Sequence, residues 1–168
     1  MFEAVSDFIN RGGDVLIVIF LVTAAMWTLI LERQYYFRIA YPVMRDSTLA
    51  NWHAREDQFS WRAQQIRSLW ISEASTELNR SIALINTFVA LCPLLGLLGT
   101  VTGMIEVFDV MATAGNSNAR AMAAGVSKAT IPTMAGMVAA LSGLYFSVQL
   151  QRFAKDQGEE LADQMTHD

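Results

Sequence analysis

The sequence has very few residues of the kinds that build disulfides and metal sites. Among 168 residues it contains one cysteine, Cys92, and two histidines, His53 and His167. A single cysteine forms no internal disulfide, and no cysteine or second histidine stands near His53 to complete a metal-ligand set. Cys92 lies inside an uncharged run, where we expect a small buried side chain. We therefore predict neither a metal nor a cofactor.

An excess of positive charge is also absent, because 12 basic residues stand against 16 acidic ones and the formal net charge is −4. This balance gives no basic surface of the kind that binds nucleic acid. Both histidines fall outside the apolar runs, away from any membrane serine that a protease would need to activate. The glycines of GLLGTVTG (96–103) lack the dinucleotide-binding pattern. We predict a protein that is not an enzyme and has no nucleic-acid partner.

What the sequence does have is long uncharged runs, with 53% hydrophobic residues in all. The runs cover residues 15–31, 81–105 and 129–151, which are 17, 25 and 23 residues. A helix rises about 1.5 Å per residue, so the two longer runs can cross a hydrocarbon core of about 30 Å and the first stands at the short end for a span. Trp27 near the end of the first run and Tyr35, Tyr36 and Phe37 just beyond it fit a belt of interfacial aromatics. The sequence predicts an all-α fold with three transmembrane helices.

We treat residues 1–168 as a single membrane unit with long cytoplasmic helical extensions. The predicted segments are an interfacial helix over 1–14, a first span over 15–31, a cytoplasmic helical region over 32–80, a second span over 82–108, a periplasmic turn over 109–121, a third span over 122–150 and a cytoplasmic tail over 151–168. Gly12-Gly13 should break the first helix. Pro42 should end the helix that leaves the first span. Residues 62–80 should form a helix that runs straight into the second span.

Basic residues set the predicted orientation. Seven arginines lie between residues 32 and 80, and Arg152 and Lys155 follow the last span. The opposite side has Arg11 and Arg120, with Lys128 at the helix edge. Positively charged loops stay in the cytoplasm. We therefore expect the N-terminus outside the membrane and residues 32–80 and the C-terminus on the cytoplasmic side; the resemblance given below implies that the outer side is the periplasm.

Small residues are concentrated in the second and third runs. The glycines concerned are Gly96, Gly99, Gly103, Gly136 and Gly143. In lipid the hydrophobic effect no longer drives helices together, and small residues let their backbones approach closely. We predict that these glycines serve helix packing.

Two threonines stand out among the small residues. Thr100 lies five residues inside Ile105, and Thr133 lies five residues inside Lys128, so in antiparallel neighbours both hydroxyls fall at about one depth. One interpretation is a shared polar level that faces a cavity or a partner helix. The alternative is that each hydroxyl bonds a carbonyl of the preceding turn of its own helix.

Glu106 and Lys128 also share a level, at the outer ends of the same two runs. We predict that they pair within or between subunits and close the outer end; the alternative is two independent side chains that reach the headgroups. No Asp, Glu or His lies in the middle of any run. A carboxylate for proton movement must therefore come from a partner.

At residues 96–108 (GLLGTVTGMIEVF) and 125–140 (GVSKATIPTMAGMVAA) the sequence resembles the ExbB/TolQ/MotA family. These proteins are channel-forming subunits of ion-driven motors in bacterial inner membranes. The three-span layout with an outer N-terminus is similar to the ExbB/TolQ branch rather than to the four-span flagellar branch. Lys128 stands where many ExbB sequences carry glutamate, and Pro132 before Thr133 departs from the common pattern.

The resemblance implies a homo-oligomeric ring in the bacterial inner membrane, with five copies in family members. The ring surrounds a one-span ExbD-type partner, whose membrane aspartate supplies the missing carboxylate. Thr100 and Thr133 would line the ion pathway near that aspartate. The proton gradient would energise a TonB-type protein for outer-membrane import of iron chelates or vitamin B12. The alternatives are a TolQ-type subunit for envelope maintenance and a non-conducting membrane scaffold.

Overall fold

The computed structural model describes residues 2–55, 57, 60–114 and 119–165, with residues 2–12, 113, 114, 119–121 and 124 given by their backbone alone. Every regular element within these residues is a helix. The elements are α1 (Phe2–Tyr35), a π-helix (Tyr36–Ala40), α2 (Tyr41–His53), α3 (Trp61–Asn79), α4 (Ile82–Ala114) and α5 (Ala119–Gln164). The predicted all-α class is confirmed.

Three stretches of the described chain are long and apolar enough to cross a membrane. They are Gly13–His53, Trp61–Ala112 and Gly125–Gln164, and their most apolar parts have mean hydropathies of 2.4, 2.1 and 1.5. The three spanning helices predicted from the uncharged runs are thereby confirmed. The side chains of the predicted interfacial helix, before Gly13, and the middle of the predicted outer turn, residues 115–118, lie outside what the structure describes.

The first of two compact units runs up to Trp27 and from Asn86 to Leu144. Its core cluster consists of Cys92, Ala139 and Ala140, with Val22 packed against it. Gly13 has φ 68° and ψ −171°, a conformation open to glycine, and it interrupts α1 where the sequence predicts a break. The small side chains of this core allow the close helix contacts described below.

The second unit runs from Thr28 to Ile85 and from Tyr145 onward. Its core cluster consists of Trp52, Ala63, Ala74, Leu161 and Met165. The Trp52 and Trp70 rings meet edge to face, with centroids 6.3 Å apart. The Tyr41 hydroxyl donates to the carbonyl oxygen of Gln157 at 3.0 Å. This bond ties α2 to α5 within the second unit.

The prediction that Pro42 ends the helix leaving the first span is wrong. The chain passes from α1 through the π-helix directly into α2, which has a proline in its first turn. Proline is tolerated there because the first amides of a helix have no intrahelical acceptor, and its fixed φ suits the helix. The wider π-helical turn absorbs the change of hydrogen-bond pattern just before it.

The prediction that the third helix runs straight into the second span is also wrong. α3 ends at Asn79, Arg80 has ψ 140°, and Ser81 has φ 65° before α4 begins. The carbonyls at the end of α3 are bonded by Arg33, whose Nε donates to Arg80 O and Nη2 to Glu77 O, each at 2.6 Å. Arg33 is only 1% exposed. A buried guanidinium thus ends α3.

A second arginine ends α5 in the same way. Arg67 donates from Nη2 to Ala162 O at 2.6 Å and from Nε to Met165 O at 3.1 Å. The last four carbonyls of a helix have no intrahelical donor, and a cation is favourable at this end of the helix dipole. The two arginines therefore satisfy helix ends inside the second unit that its own backbone leaves open.

Candidate functional site

The candidate site in the first unit is the contact between α4 and α5 along Gly96, Gly99, Gly103 and Gly136, called here the glycine seam. A Cβ placed on Gly96 would lie 2.9 Å from Thr133 Cα and 3.0 Å from Pro132 O. A Cβ on Gly136 would meet the carbonyl oxygen of Cys92 and lie 3.3 Å from Gly96 Cα. Backbone therefore touches backbone across the seam, as small residues permit between membrane helices.

Toward the predicted outer side the seam is filled by Pro132 and Ala129. A Cβ on Gly99 would collide with the Pro132 ring, 2.8 Å from Cγ, and a Cβ on Gly103 would lie 2.7 Å from Ala129 Cβ. Pro132 is fully buried. Its ring thus occupies the space that the missing side chain of Gly99 leaves, while α5 continues through it as one helix.

Gly143 makes a third close contact, between all three spanning helices. A Cβ at this position would lie 2.7 Å from Met26 Cε of α1 and 2.8 Å from Val89 Cγ2 of α4. Met26 itself is fully buried. Each of the five glycines predicted to serve packing therefore lies where an added Cβ would collide with atoms of a neighbouring helix, and at Gly143 those atoms belong to side chains.

The two predicted pathway threonines form different hydrogen bonds. Thr133 Oγ1 donates across the seam to Gly96 O at 2.8 Å. Thr100 Oγ1 donates to Leu97 O of its own helix at 2.6 Å. Among the described residues no hydrogen bond joins the two hydroxyls. Thr133 is thus tied into the seam, whereas Thr100 follows the alternative in which a membrane threonine bonds the preceding turn.

The two threonines are also offset in depth. Thr133 lies opposite Gly96, so Thr100 stands four residues, or roughly 6 Å, nearer the predicted outer end of α4. Thr130 lies one turn from Thr133, and its hydroxyl likewise donates to its own helix, at Ser127 O. Thr100 and Thr133 therefore do not lie directly opposite each other within a single chain.

The structure brings Glu106 and Lys128 together within one chain. Lys128 Nζ lies 2.8 Å from Glu106 Oε2, with 40% of the lysine side chain and 60% of the glutamate side chain exposed. This pair joins α4 to α5 at the end of the seam. An exposed ion pair of this kind contributes about 0–1 kcal/mol in water.

The face of α4 around Thr100 is apolar and uncovered. Leu97, Val101 and Ile105 are 59%, 51% and 54% exposed in the single chain. An apolar surface this continuous is covered by lipid or by another chain. Within the described residues, no group of three His, Cys, Asp or Glu side chains is placed to hold a metal ion.

Comparison with known proteins identifies the chain's family. The family model described as the MotA/TolQ/ExbB proton channel family matches residues 38–163, three quarters of the chain. The chain belongs to this family. The resemblance inferred from the glycine and threonine motifs is therefore confirmed, and the glycine seam lies inside the matched region.

Curated relatives agree with the ExbB branch of the proton channel family. A "Putative biopolymer transport protein ExbB-like 1" of Synechocystis is 43% identical over 70 residues, which cover 40% of this chain and 28% of the relative. "Biopolymer transport protein exbB1" of Vibrio cholerae is 38% identical over 74 residues, covering 44% and 32%. An ExbB-like 1 protein of Helicobacter pylori is 26% identical over 102 residues, covering 61% and 54%.

The chain thus matches only about a quarter to a half of the length of these relatives. No solved structure matches it. The alignments support the ExbB-like character of this family member.

Two contributors to this architecture are not identified from the sequence. Arg33 contributes to the predicted orientation alone, although it stands two residues after the first uncharged run, and Arg80 stands directly before the second. Pro132 was noted as a departure from the family pattern, without the burial against Gly99. The sequence does not show which residue of α4 the Pro132 ring contacts. Only the structure pairs Pro132 with Gly99.

Proposed function

We propose that this chain is an ExbB-type channel and stator subunit of the bacterial inner membrane. Several copies, five by analogy with the family, form a ring around a one-span ExbD-type partner. The complex uses the proton gradient to energise a TonB-type protein for outer-membrane import of iron chelates or vitamin B12. The N-terminus is periplasmic and the C-terminus is cytoplasmic.

The observation that carries the proposal is the glycine seam within the region that matches a proton channel family. α4 and α5 form one closely packed wall. On that wall the apolar side chains around Thr100 are exposed in a single chain, and Thr100 itself is half-buried among them. The uncharged runs contain no carboxylate of their own. A ring of such walls around a helix that brings an aspartate would provide both a dry pathway and the titrating group that proton transfer requires.

The test combines composition with activity. The chain is co-expressed with its neighbouring genes, and native mass spectrometry measures the composition of the purified complex. We expect a ring of this subunit that holds copies of a small one-span protein. A monomer, or a ring with nothing inside, would contradict the proposal and favour a scaffold.

Threonine variants of that same complex test the pathway. We expect Thr100→Val and Thr133→Val to leave the composition unchanged and to reduce proton-gradient-dependent uptake at least tenfold. Thr130→Val is the matched control for Thr100→Val, because the hydroxyls of both residues donate to a carbonyl of their own helix, and Thr130 is exposed. Full uptake by both test variants would remove the threonines from the pathway, and loss of the ring would assign them to packing.

A further inference from the structure

A groove in the second unit has a lining that the proposed function does not use. It has a volume of about 430 Å³ and lies between the end of α1 with the following π-helix on one side and α5 on the other. Phe37, Leu150 and Phe153 contribute apolar walls, and Arg38 and Arg152 contribute charge. Phe37 and Phe153 touch, with ring centroids 4.9 Å apart.

The groove changes from apolar to charged along its length. Both helices leave their uncharged runs here, at Leu31 and at Gln151. Arg38 lies seven residues beyond the first of these points, in the π-helix Tyr36–Ala40, and Arg152 lies directly beyond the second. The groove therefore crosses the level at which hydrocarbon gives way to headgroups on the side of the membrane that is predicted to be cytoplasmic.

The positive charges of the groove exceed the negative charges of its own lining residues. Arg38 and Arg152 are both exposed, and neither forms a salt bridge to another described residue. Asp156, one turn beyond Arg152, is the acid that lines the groove. Two positive charges and one negative charge leave one positive charge over. The groove is thus complementary to a ligand with a single negative charge attached to an apolar chain.

We propose that this groove binds an anionic phospholipid of the cytoplasmic leaflet. The phosphodiester lies between Arg38 and Arg152, whose guanidinium groups suit phosphate oxygens. An acyl chain lies along Leu150 and the Phe37–Phe153 pair. Basic pockets beside transmembrane helices on the cytoplasmic side recognise such headgroups. The inference requires only that the chain spans a membrane, so it stands or falls separately from ion conduction.

The experiment uses the full chain purified in mild detergent, with its complex partners if they co-purify. Phosphatidylglycerol and phosphatidylcholine with identical acyl chains are added in equal amounts, and native mass spectrometry measures the ratio of the two bound lipids. We expect the wild-type chain to prefer phosphatidylglycerol. Each arginine near an anionic headgroup contributes a similar electrostatic attraction. Arg38→Gln or Arg152→Gln should therefore lower that preference about 5-fold, and the double variant about 30-fold.

The matched control is the double variant Arg62→Gln/Lys155→Gln. It also removes two positive charges, but from exposed positions that do not line the groove. We expect it to keep the wild-type preference. An equal loss in the control would show that total charge, rather than the groove, attracts the lipid, and would overturn the proposal.

Three other outcomes would also overturn it. Equal retention of both lipids by the wild-type chain would show that the headgroup charge is not read. Displacement of the lipid by millimolar inorganic phosphate would show that the apolar wall contributes nothing. Loss of a co-purified protein chain, rather than of lipid, in the Arg38→Gln/Arg152→Gln variant would make the groove a protein contact.

Discussion

Arg33 allows the sharpest test of how the second unit is held together. Its guanidinium bonds Glu77 O and Arg80 O and lies 4.9 Å from the centre of the Tyr36 ring. Arg33→Met keeps an apolar chain of similar length and removes both bonds. A hydrogen bond to a charged group contributes about 1.5–3 kcal/mol, so the two together contribute about 3–6 kcal/mol. Because Arg80 is exposed, water can reach part of this helix end, and we expect a loss near the lower value.

Lysine at the same position separates charge from geometry. Arg33→Lys keeps the positive charge but lacks the planar fork that reaches two carbonyls at once. We therefore expect about half the loss of Arg33→Met. The free energy of unfolding is measured by SDS titration of the protein in mixed micelles, followed by tryptophan fluorescence. Trp52 and Trp70 lie in or against the core of this unit and should report its loss.

The control is Arg62→Met, an arginine on α3 that is exposed. We expect it to change the free energy of unfolding by less than about 0.5 kcal/mol, as surface substitutions do. An Arg33→Met protein within that same margin of the wild type would refute the role given to Arg33. A lysine variant as stable as the wild type would show that charge alone ends α3.

Two further predictions concern backbone positions and use the same titration. Gly136→Ala places a Cβ against Cys92 O and should lower the free energy of unfolding by about 1–3 kcal/mol through overpacking. The control is Gly158→Ala, whose Cβ would have its nearest neighbour at 4.0 Å, and we expect it to be neutral or stabilising. Equal effects of the two substitutions would contradict close contact at the seam. Ser81→Gly should raise the free energy of unfolding by about 1 kcal/mol, because Ser81 has a positive φ. Ser75→Gly inside α3 should lower it by about 0.5 kcal/mol, and a loss at both sites would argue against relief of backbone strain at Ser81.

The sequence predicts the helices well because the signal is compositional. Uncharged runs of 17 to 25 residues have few structures open to them other than spanning helices. The packing glycines are predicted for a related reason, since small residues have little other use in such runs. Both inferences need only the nature of the residues, and neither needs the partner of any one of them.

The helix ends in the second unit could not be predicted, because their causes are distant in the chain. Nothing between residues 62 and 82 is a glycine or a proline, so the local pattern favours one continuous helix. The break at Arg80 and Ser81 is stabilised by Arg33, 47 residues before Arg80. The rule that proline ends a helix does not hold at Pro42, because a π-helical turn before the proline lets the chain stay helical.

Equal residue counts from the helix ends do not place Thr100 opposite Thr133, for a geometric reason. Between the contacts Gly96–Thr133 and Gly103–Ala129, the chain advances by seven residues on α4 and by four on α5. Counting equal numbers of residues from the outer ends therefore does not identify facing residues. Glu106 and Lys128 lie within 2.8 Å of each other. They stand at the ends themselves, where little counting error accumulates.

The glycine seam has a mechanical consequence. Where backbone touches backbone there is no side-chain rotamer to flip, and neither helix can slide or rotate against the other without collision. α4 and α5 of one chain therefore move as one rigid body over the length of the seam. A moving part of the working protein has to be sought on the outer surfaces of this pair, where it meets neighbouring chains or lipid, and at joints such as Gly13, rather than between the two helices.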